Sequence, residues 1–221
     1  DRFIYLGLRQ YYSEMRPYIE RLLRSADGGA GKVGARFASL AVLYGHPATD
    51  LVEKAMAGNA SQREGVAIVA ACNIASPECR EWCEKNLLRL FNDADAEVRR
   101  TSASCFRYLE KEPLEPYETL ITAFGDSAAY QEDSFPILHV LEESLRRLPG
   151  ITCVVCEKFL ARFSDEAKDV RTHRGGDVHT VAKLIFRTYQ QHQRDEWAPR
   201  CLDLIDQMCL EGINDVKSGL E

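Results

Sequence analysis

The residues in this chain best suited to chemistry are its eight cysteines, a glycine run that ends in a lysine, and two histidines in a charged segment. Cys153 and Cys156 form a CxxC pair, and Cys79 and Cys83 a CxxxC pair. Structural zinc takes four ligands, usually from two such pairs held in loops. Both pairs here fall inside helical apolar stripes with no histidine at a standard spacing, so no metal is expected. Cys72, Cys105, Cys201 and Cys209 stand among apolar residues at helical spacing. They are expected to be buried, reduced thiols in a cytoplasmic protein rather than a disulfide framework. Asn59-Ala60-Ser61 fits the glycosylation triplet, but a cytoplasmic compartment would leave it unused.

Gly28-Gly29-Ala30-Gly31-Lys32 invites comparison with a phosphate-binding loop. Ala26 stands where that loop needs its first glycine and Val33 where it needs Ser or Thr, and no strand precedes it. The run therefore reads as a flexible turn between helices. His173 and His179 flank Arg174-Gly175-Gly176-Asp177 in the longest stretch without apolar periodicity, Ser164 to Asp177. Long loops in helical proteins are functional or disordered. Two readings stand: a solvated linker, or an insertion that touches a partner through residues such as His173 and Arg174. Glu142 and Glu143 are adjacent and point to different helix faces. No strained turn or oxyanion signature frames a Ser–His–Asp or Cys–His set. The expectation is a non-enzyme with no catalytic residue, metal or cofactor.

The elements that hold these residues read as helices throughout. In the clearest unit, Trp82 to Leu109, a first helix sets Cys83, Leu87, Leu90 and Phe91 on one face. Asn92-Asp93-Ala94-Asp95 breaks it, and a second helix sets Val98, Ser102, Phe106 and Leu109 on one face. Spacings of three and four keep each set on a single buried stripe. Ser76-Pro77 is expected to open the first helix, and Asp93 or Asp95 to cap the second. Further helix pairs are expected over Ile19–Tyr44, Leu51–Ile74, Pro116–Leu148 and Ile151–Tyr189. A last pair begins at Asp195, with Trp197, Cys201, Ile205 and Met208 on one face. The β-prone run Ile151–Cys156 continues into a helical stripe. No apolar run approaches the ~20 residues of a membrane-spanning helix. A net charge of −6 argues against a bulk grip on nucleic acid. The chain opens on Asp1 and closes on what reads as an interrupted helix, Asn214 to Glu221, as expected of one domain (1–221) within a longer protein.

Leu87-Leu88-Arg89-Leu90-Phe91-Asn92-Asp93-Ala94-Asp95-Ala96-Glu97-Val98-Arg99 resembles the HEAT-repeat signature: an apolar helix, an Asp-rich turn, then Val-Arg opening a second helix. Val33 and Val98 serve as anchors, with the Val66 helix between them, for a repeat of roughly 30 to 35 residues. The resemblance implies an all-α, right-handed α-solenoid of antiparallel helix pairs. It also implies that Val98 packs in the core and that Arg99 joins Asp–Arg contacts between repeats, through Asp93 or Asp95. It further implies that second helices line a concave binding face. Arg99, Arg107, Arg146, Lys183 and Arg187 are the contact residues expected there.

The segments Asp177–Tyr189 and Arg200–Met208 resemble the C-terminal ends of large bacterial signalling ATPases of the STAND/NACHT type. In those proteins a helical repeat region senses a ligand, often a viral protein in antiphage defence. That implies a sensor whose partner is another protein, with an acidic patch favoured, or another domain of the parent chain. The ATPase motifs are absent from this sequence. A HEAT-like DNA glycosylase is the enzymatic alternative and needs a basic groove that the acidic balance opposes. A structural spacer is the third reading. Val98→Asp should cost several kcal/mol, because it sets an unpaired carboxylate in the best-defined repeat core. A variant that melts within about 2 °C of the parent would refute this register.

Overall fold

Short polar side chains decide where the helices begin. The computed structural model describes residues 7–143, 148–165 and 175–213, and all regular structure among them is helical. The chain divides into two compact units, residues 1–108 and 109–221. The first contains α1 (Tyr12–Leu23), α2 (Gly28–Leu43), α3 (Thr49–Met56), α4 (Ala60–Asn73), α5 (Arg80–Leu90) and α6 (Ala96–Ala103), with a 3-10 turn over Ser104–Tyr108. Asp27 accepts the Gly29 N–H to start α2. Asn59 and Gln62 form a reciprocal capping box at the start of α4, so the Asn59 side chain is a helix cap. Asp95 accepts the Glu97 and Val98 N–H groups at 3.0 and 3.2 Å to start α6. Each cap satisfies N–H groups that the helix itself leaves without partners.

The first helices, α1, α3 and α5, alternate with the second, α2, α4 and α6. α2 packs on α1, α3 and α4, and α4 packs on α2, α3, α5 and α6. Contacts between α2 and α4 keep a nearly constant offset. Gly28 lies against Ser61, Gly31 against Gln62, and Gly65 against Lys32 and Ala35, while Lys32 pairs with Glu64 at 2.5 Å. Both chains advance together along these contacts, so the two helices run parallel. α1 and the α3 region match likewise through Tyr12 Oη to the Pro47 carbonyl and Arg16 to Asp50. Glu53 of α3 meets Arg89 of α5 in a two-point ion pair at 2.9 and 3.1 Å.

The core of this unit includes Leu8, Ile19, Ala35, Ala38, Leu51, Val66 and Val98, all fully buried. The two stripes expected between Trp82 and Leu109 are buried in full, and Phe91 stacks on Phe106 at 6.2 Å. The second helix tightens to 3-10 geometry after Ala103. The Ser102 and Ser104 hydroxyls there donate to the Arg99 and Thr101 carbonyls and compete for helical acceptors.

Several expectations change. The glycine run is not a turn: Gly28 to Lys32 form the first turns of α2. Val33 is 37% exposed rather than an anchor, because the inner face of α2 is Gly31, Gly34, Ala35 and Ala38. These small residues admit neighbouring backbone. A Cβ at Gly34 would lie 2.8 Å from Leu22 Cβ, and one at Gly65 would lie 2.5 Å from the Lys32 carbonyl oxygen. Ser76-Pro77 does not open α5, which starts at Arg80. The Ser76 hydroxyl bonds Glu78 at 2.8 Å instead of capping the helix. Cys72 and Cys209 are exposed, whereas Cys83, Cys105, Cys153, Cys156 and Cys201 are buried, and all eight thiols are free.

The second unit has a 3-10 turn at Glu115–Tyr117, then α7 (Glu118–Gly125), α8 (Ala128–Glu132), α9 (Phe135–Glu143), α10 (Pro149–Asp165), α11 (Gly175–Gln191) and α12 (Trp197–Leu210). Among the described residues, the pair expected over Pro116–Leu148 is three short helices. Ser127 ends one and caps the next, its hydroxyl donating to the Phe124 carbonyl and accepting the Tyr130 N–H. Extended backbone at Asp133 makes the second break. Ser127 continues the capping series of Asp27, Asn59 and Asp95, at intervals of 32, 36 and 32 residues. The stretch expected to be a loop is helical at both ends: Ser164 belongs to α10 and Asp177 to α11. The Ile151–Cys156 run is helical, as expected. α12 starts at Trp197 and buries Ala198, Cys201, Leu204 and Met208. Its buried face is therefore rotated slightly from the expected stripe, and Trp197 reaches across to Gly150. Residues 214–221, where a final helix was expected, lie outside the described residues. Among the described residues, no helix is long and apolar enough to cross a membrane.

Gly65→Ala is expected to destabilise the first unit by about 2 kcal/mol through overpacking against Lys32 and Ala35. This exceeds the roughly 1 kcal/mol that alanine gains from helix propensity. A melting temperature equal to or above the parent's would contradict the close packing of α2 on α4.

Candidate partner-binding surface

The turn between α5 and α6 decides which expected contact residues remain at the surface. Asp93 accepts two hydrogen bonds from Arg63, from Nε at 2.6 Å and Nη2 at 3.0 Å. Its Oδ1 also accepts the Asp95 N–H at 2.9 Å. Arg63 stands four residues after its cap Asn59, as Arg99 stands four after Asp95. Arg63 thus ties α4 to the turn before α6. Arg99 is half-buried, donates to the Asp93 carbonyl and acts on the Asp93 carboxylate through its charge. Burial acts to raise the Asp93 pKa, but the hydrogen bonds from Arg63 and the Asp95 N–H outweigh it and hold the carboxyl below its ordinary value.

Arg107 is exposed on the 3-10 turn that follows α6, beside the exposed Tyr108. The Cys72 thiol of α4 donates to the Tyr108 hydroxyl at 3.0 Å. Arg36 lies one turn after Lys32 on α2 and is half-buried. The Lys32–Glu64 pair aligns that side of α2 with the side of α4 that carries Cys72. Cys72, Tyr108 and Arg107 thus lie together at the surface, and Arg36 stands on α2 one turn beyond the Lys32–Glu64 pair. Arg36 was missed in the sequence because a single charge on a helix carries no signal of its own, and Tyr108 because it fell outside the apolar stripe.

Lys183 and Arg187, on α11, converge on Glu142 of α9. Lys183 Nζ bonds Glu142 Oε1, and Arg187 Nη1 stands 4.0 Å from the same oxygen. Arg187 keeps 43% of its side chain exposed, against 31% for Lys183. Arg146, His173 and Arg174 lie outside the described residues. The described candidates therefore form two groups: Arg99 and Arg107 in the first unit, Lys183 and Arg187 in the second.

One cleft of 290 Å³ opens in the first unit, lined by Glu20, Leu23, Arg24, Leu51, Lys54 and Gln62 among others. That is just below the usual volume of small-molecule sites. Its groups are engaged with one another: Arg24 and Arg16 bond Glu20, and Gln62 Nε2 donates to the Leu23 carbonyl at 2.6 Å. Among the described residues, no three His, Cys, Asp or Glu side chains are arranged to hold a metal. No family model matches the chain, and no curated protein or solved structure matches it.

The Asp93 pair gives a prediction with a pH signature. Asp93→Asn should cost about 3 kcal/mol at neutral pH, since it leaves a poorly solvated Arg63 without its countercharge. A lowered folded-state pKa stabilises the protein above the unfolded value of about 3.9, and that stabilisation is lost as pH falls through the lower value. The gap between parent and variant in urea denaturation should therefore close below about pH 4. A gap constant from pH 7 to pH 3 would show that the carboxylate charge plays no part.

Proposed function

We propose that this chain is a right-handed α-solenoid of HEAT-like repeats that recognises another protein and performs no catalysis. The observation that carries the reading is that alternate helices run parallel, each pair within a narrow range of offsets. The offset is 30–33 residues for α2 against α4 and 34–36 for the first helices of that unit. For α10 against α12 it is 43–48. Helical hairpins stacked by translation produce such offsets, with each repeat contacting its neighbours. The Arg63–Asp93 pair supports the HEAT comparison, because it joins a second helix to the turn of the following repeat.

Solenoids of this kind bind along a face of stacked second helices. In the first unit the second helices carry cations matched to carboxylates, as in Lys32–Glu64 and Arg100–Glu97, and within the second unit Lys183 pairs with Glu142. Alternating charge suits a protein surface better than a phosphate backbone, which favours a uniformly basic track. Arg107 beside Tyr108 supplies the residue types that dominate protein contacts. We read the chain as the sensor part of a cytoplasmic bacterial signalling ATPase of the STAND type, with an acidic patch on its protein ligand.

The shape is tested by X-ray scattering. A stacked array should give a radius of gyration clearly above the roughly 17 Å of a compact chain this long. The recognition face is tested by capture of binding proteins with the parent and with an Arg36→Glu/Arg107→Glu variant. The variant should keep the melting temperature and lose a partner that the parent retains. Identical captured sets would favour a structural spacer.

A further inference from the structure

The contacts that align α10 with α12 bring two thiols together. Trp197 packs on Gly150, where a Cβ would meet its ring at 2.8 Å. Arg200 Nη2 donates to Glu157 at 2.5 Å, and the Ser164 hydroxyl to Glu211 at 2.6 Å. Between these contacts the Sγ atoms of Cys153 and Cys201 stand 3.7 Å apart. A disulfide needs about 2.05 Å, so closure is a displacement on the side-chain scale.

We propose that Cys153 and Cys201 are a redox-active dithiol that hydrogen peroxide converts to a disulfide, fastening α12 to α10. The Cys153 thiolate attacks one peroxide oxygen. The O–O bond breaks, hydroxide leaves, and Cys153 becomes a sulfenic acid. The Cys201 sulfur then attacks the Cys153 sulfur. The S–O bond breaks and water departs with the Cys201 proton. The two sulfurs together lose two electrons, and the peroxide gains two.

The surroundings assign the order of attack. Either thiol can donate in the Cys153–Cys201 hydrogen bond, which favours a thiolate on the other sulfur. Burial opposes the charged form at both, and at Cys153 the Arg200 charge favours the thiolate while Glu157 opposes it. Burial also raises Cys156, one turn along α10, and pushes Cys83 up to about 12. The thiolate is the reactive form, so Cys153 is the nucleophile and Cys201 the resolving thiol. Cys153 is 2% exposed and Cys201 fully buried, but each has a half-exposed member of the Arg200–Glu157 pair close by in its own helix. A molecule the size of peroxide needs only a small opening there. Disulfides in a reducing compartment are mostly of this transient, sensing kind.

The experiment treats the folded chain with hydrogen peroxide under native conditions, quenches by alkylation, and maps peptides without reduction. The expected product is a Cys153–Cys201 linked peptide with the loss of two hydrogens, reversed by dithiothreitol. Hydrogen exchange across α10 and α12 should slow on oxidation and recover on reduction. Cys201→Ala should abolish the linked peptide and leave Cys153 as a sulfenic acid that dimedone traps, while Cys156→Ser should leave the link intact. Mapping of the parent chain decides the question even if a variant fails to fold. A link through Cys156, oxidation confined to the exposed Cys72 and Cys209, or no oxidation at all would overturn the proposal.

Discussion

The approach of α4 to α2 at Gly65 is the constraint from which the rest of the first unit follows. With the Lys32 carbonyl oxygen 2.5 Å from where a Cβ would stand, no side chain fits without moving backbone. Ala35 closes the same spot from the side, and Gly31 and Gly34 make room for Gln62 and Leu22 in the same way. Backbones this close exchange the large hydrophobic contribution of branched side chains for dense dispersion contact. They also fix the register. Once Gly65 sits over Lys32, Glu64 is placed to meet Lys32.

Close packing brings helix ends together and leaves their backbone polar groups in need of partners. Gln62 answers two of these needs at once. Its Oε1 accepts the Asn59 N–H at the start of α4, and its Nε2 donates to the Leu23 carbonyl at the end of α1. At a relative exposure of 6% it is a buried polar residue with its groups satisfied. Arg63, next in sequence, bonds the Gly58 carbonyl and the Asp93 carboxylate, and Asp93 in turn holds the Asp95 N–H. A continuous set of side-chain bonds thus runs from the end of α1 through the start of α4 to the start of α6. Apolar residues fill the layers while polar residues tie the turns.

The parts legible in the sequence were those whose signal is local. Asp95 as a cap, and the stripes of Leu87, Leu90, Phe91, Val98 and Phe106, depend only on helical spacing and a short polar side chain. What escaped depended on a distant neighbour. The glycine run looks like a turn until Gln62 and Leu22 are seen filling the space it leaves. Val33 looked like an anchor because it is apolar, yet alanines and glycines face inward where backbone approaches. Arg99 was the visible arginine of the signature, whereas Arg63, after a turn that lacks aspartates, reaches the Asp93 carboxylate from 30 residues away. Cys72 and Cys209 follow apolar neighbours but fall on the outer side of their helices, a rotation of a fraction of a turn that periodicity alone does not fix. The break at Asp133-Ser134 was hidden because the apolar residues around it keep a helix-like spacing.

Parallel helices at a fixed offset place matched positions side by side, and this bears on both the surface and the thiols. Arg16 meets Asp50, Glu53 meets Arg89, and Glu157 meets Arg200. Charges at these matched positions are complementary, because like charges there would repel across each helix contact. At one matched position both residues are cysteines, and the geometry that elsewhere makes ion pairs there makes a thiol pair. Charges that lie between stacked helices are largely neutralised by the stacking itself. Arg107, on the turn after α6, lies beyond these matched rows and stays exposed. Residues at such turns can change without disturbing the contacts that hold the helices in register.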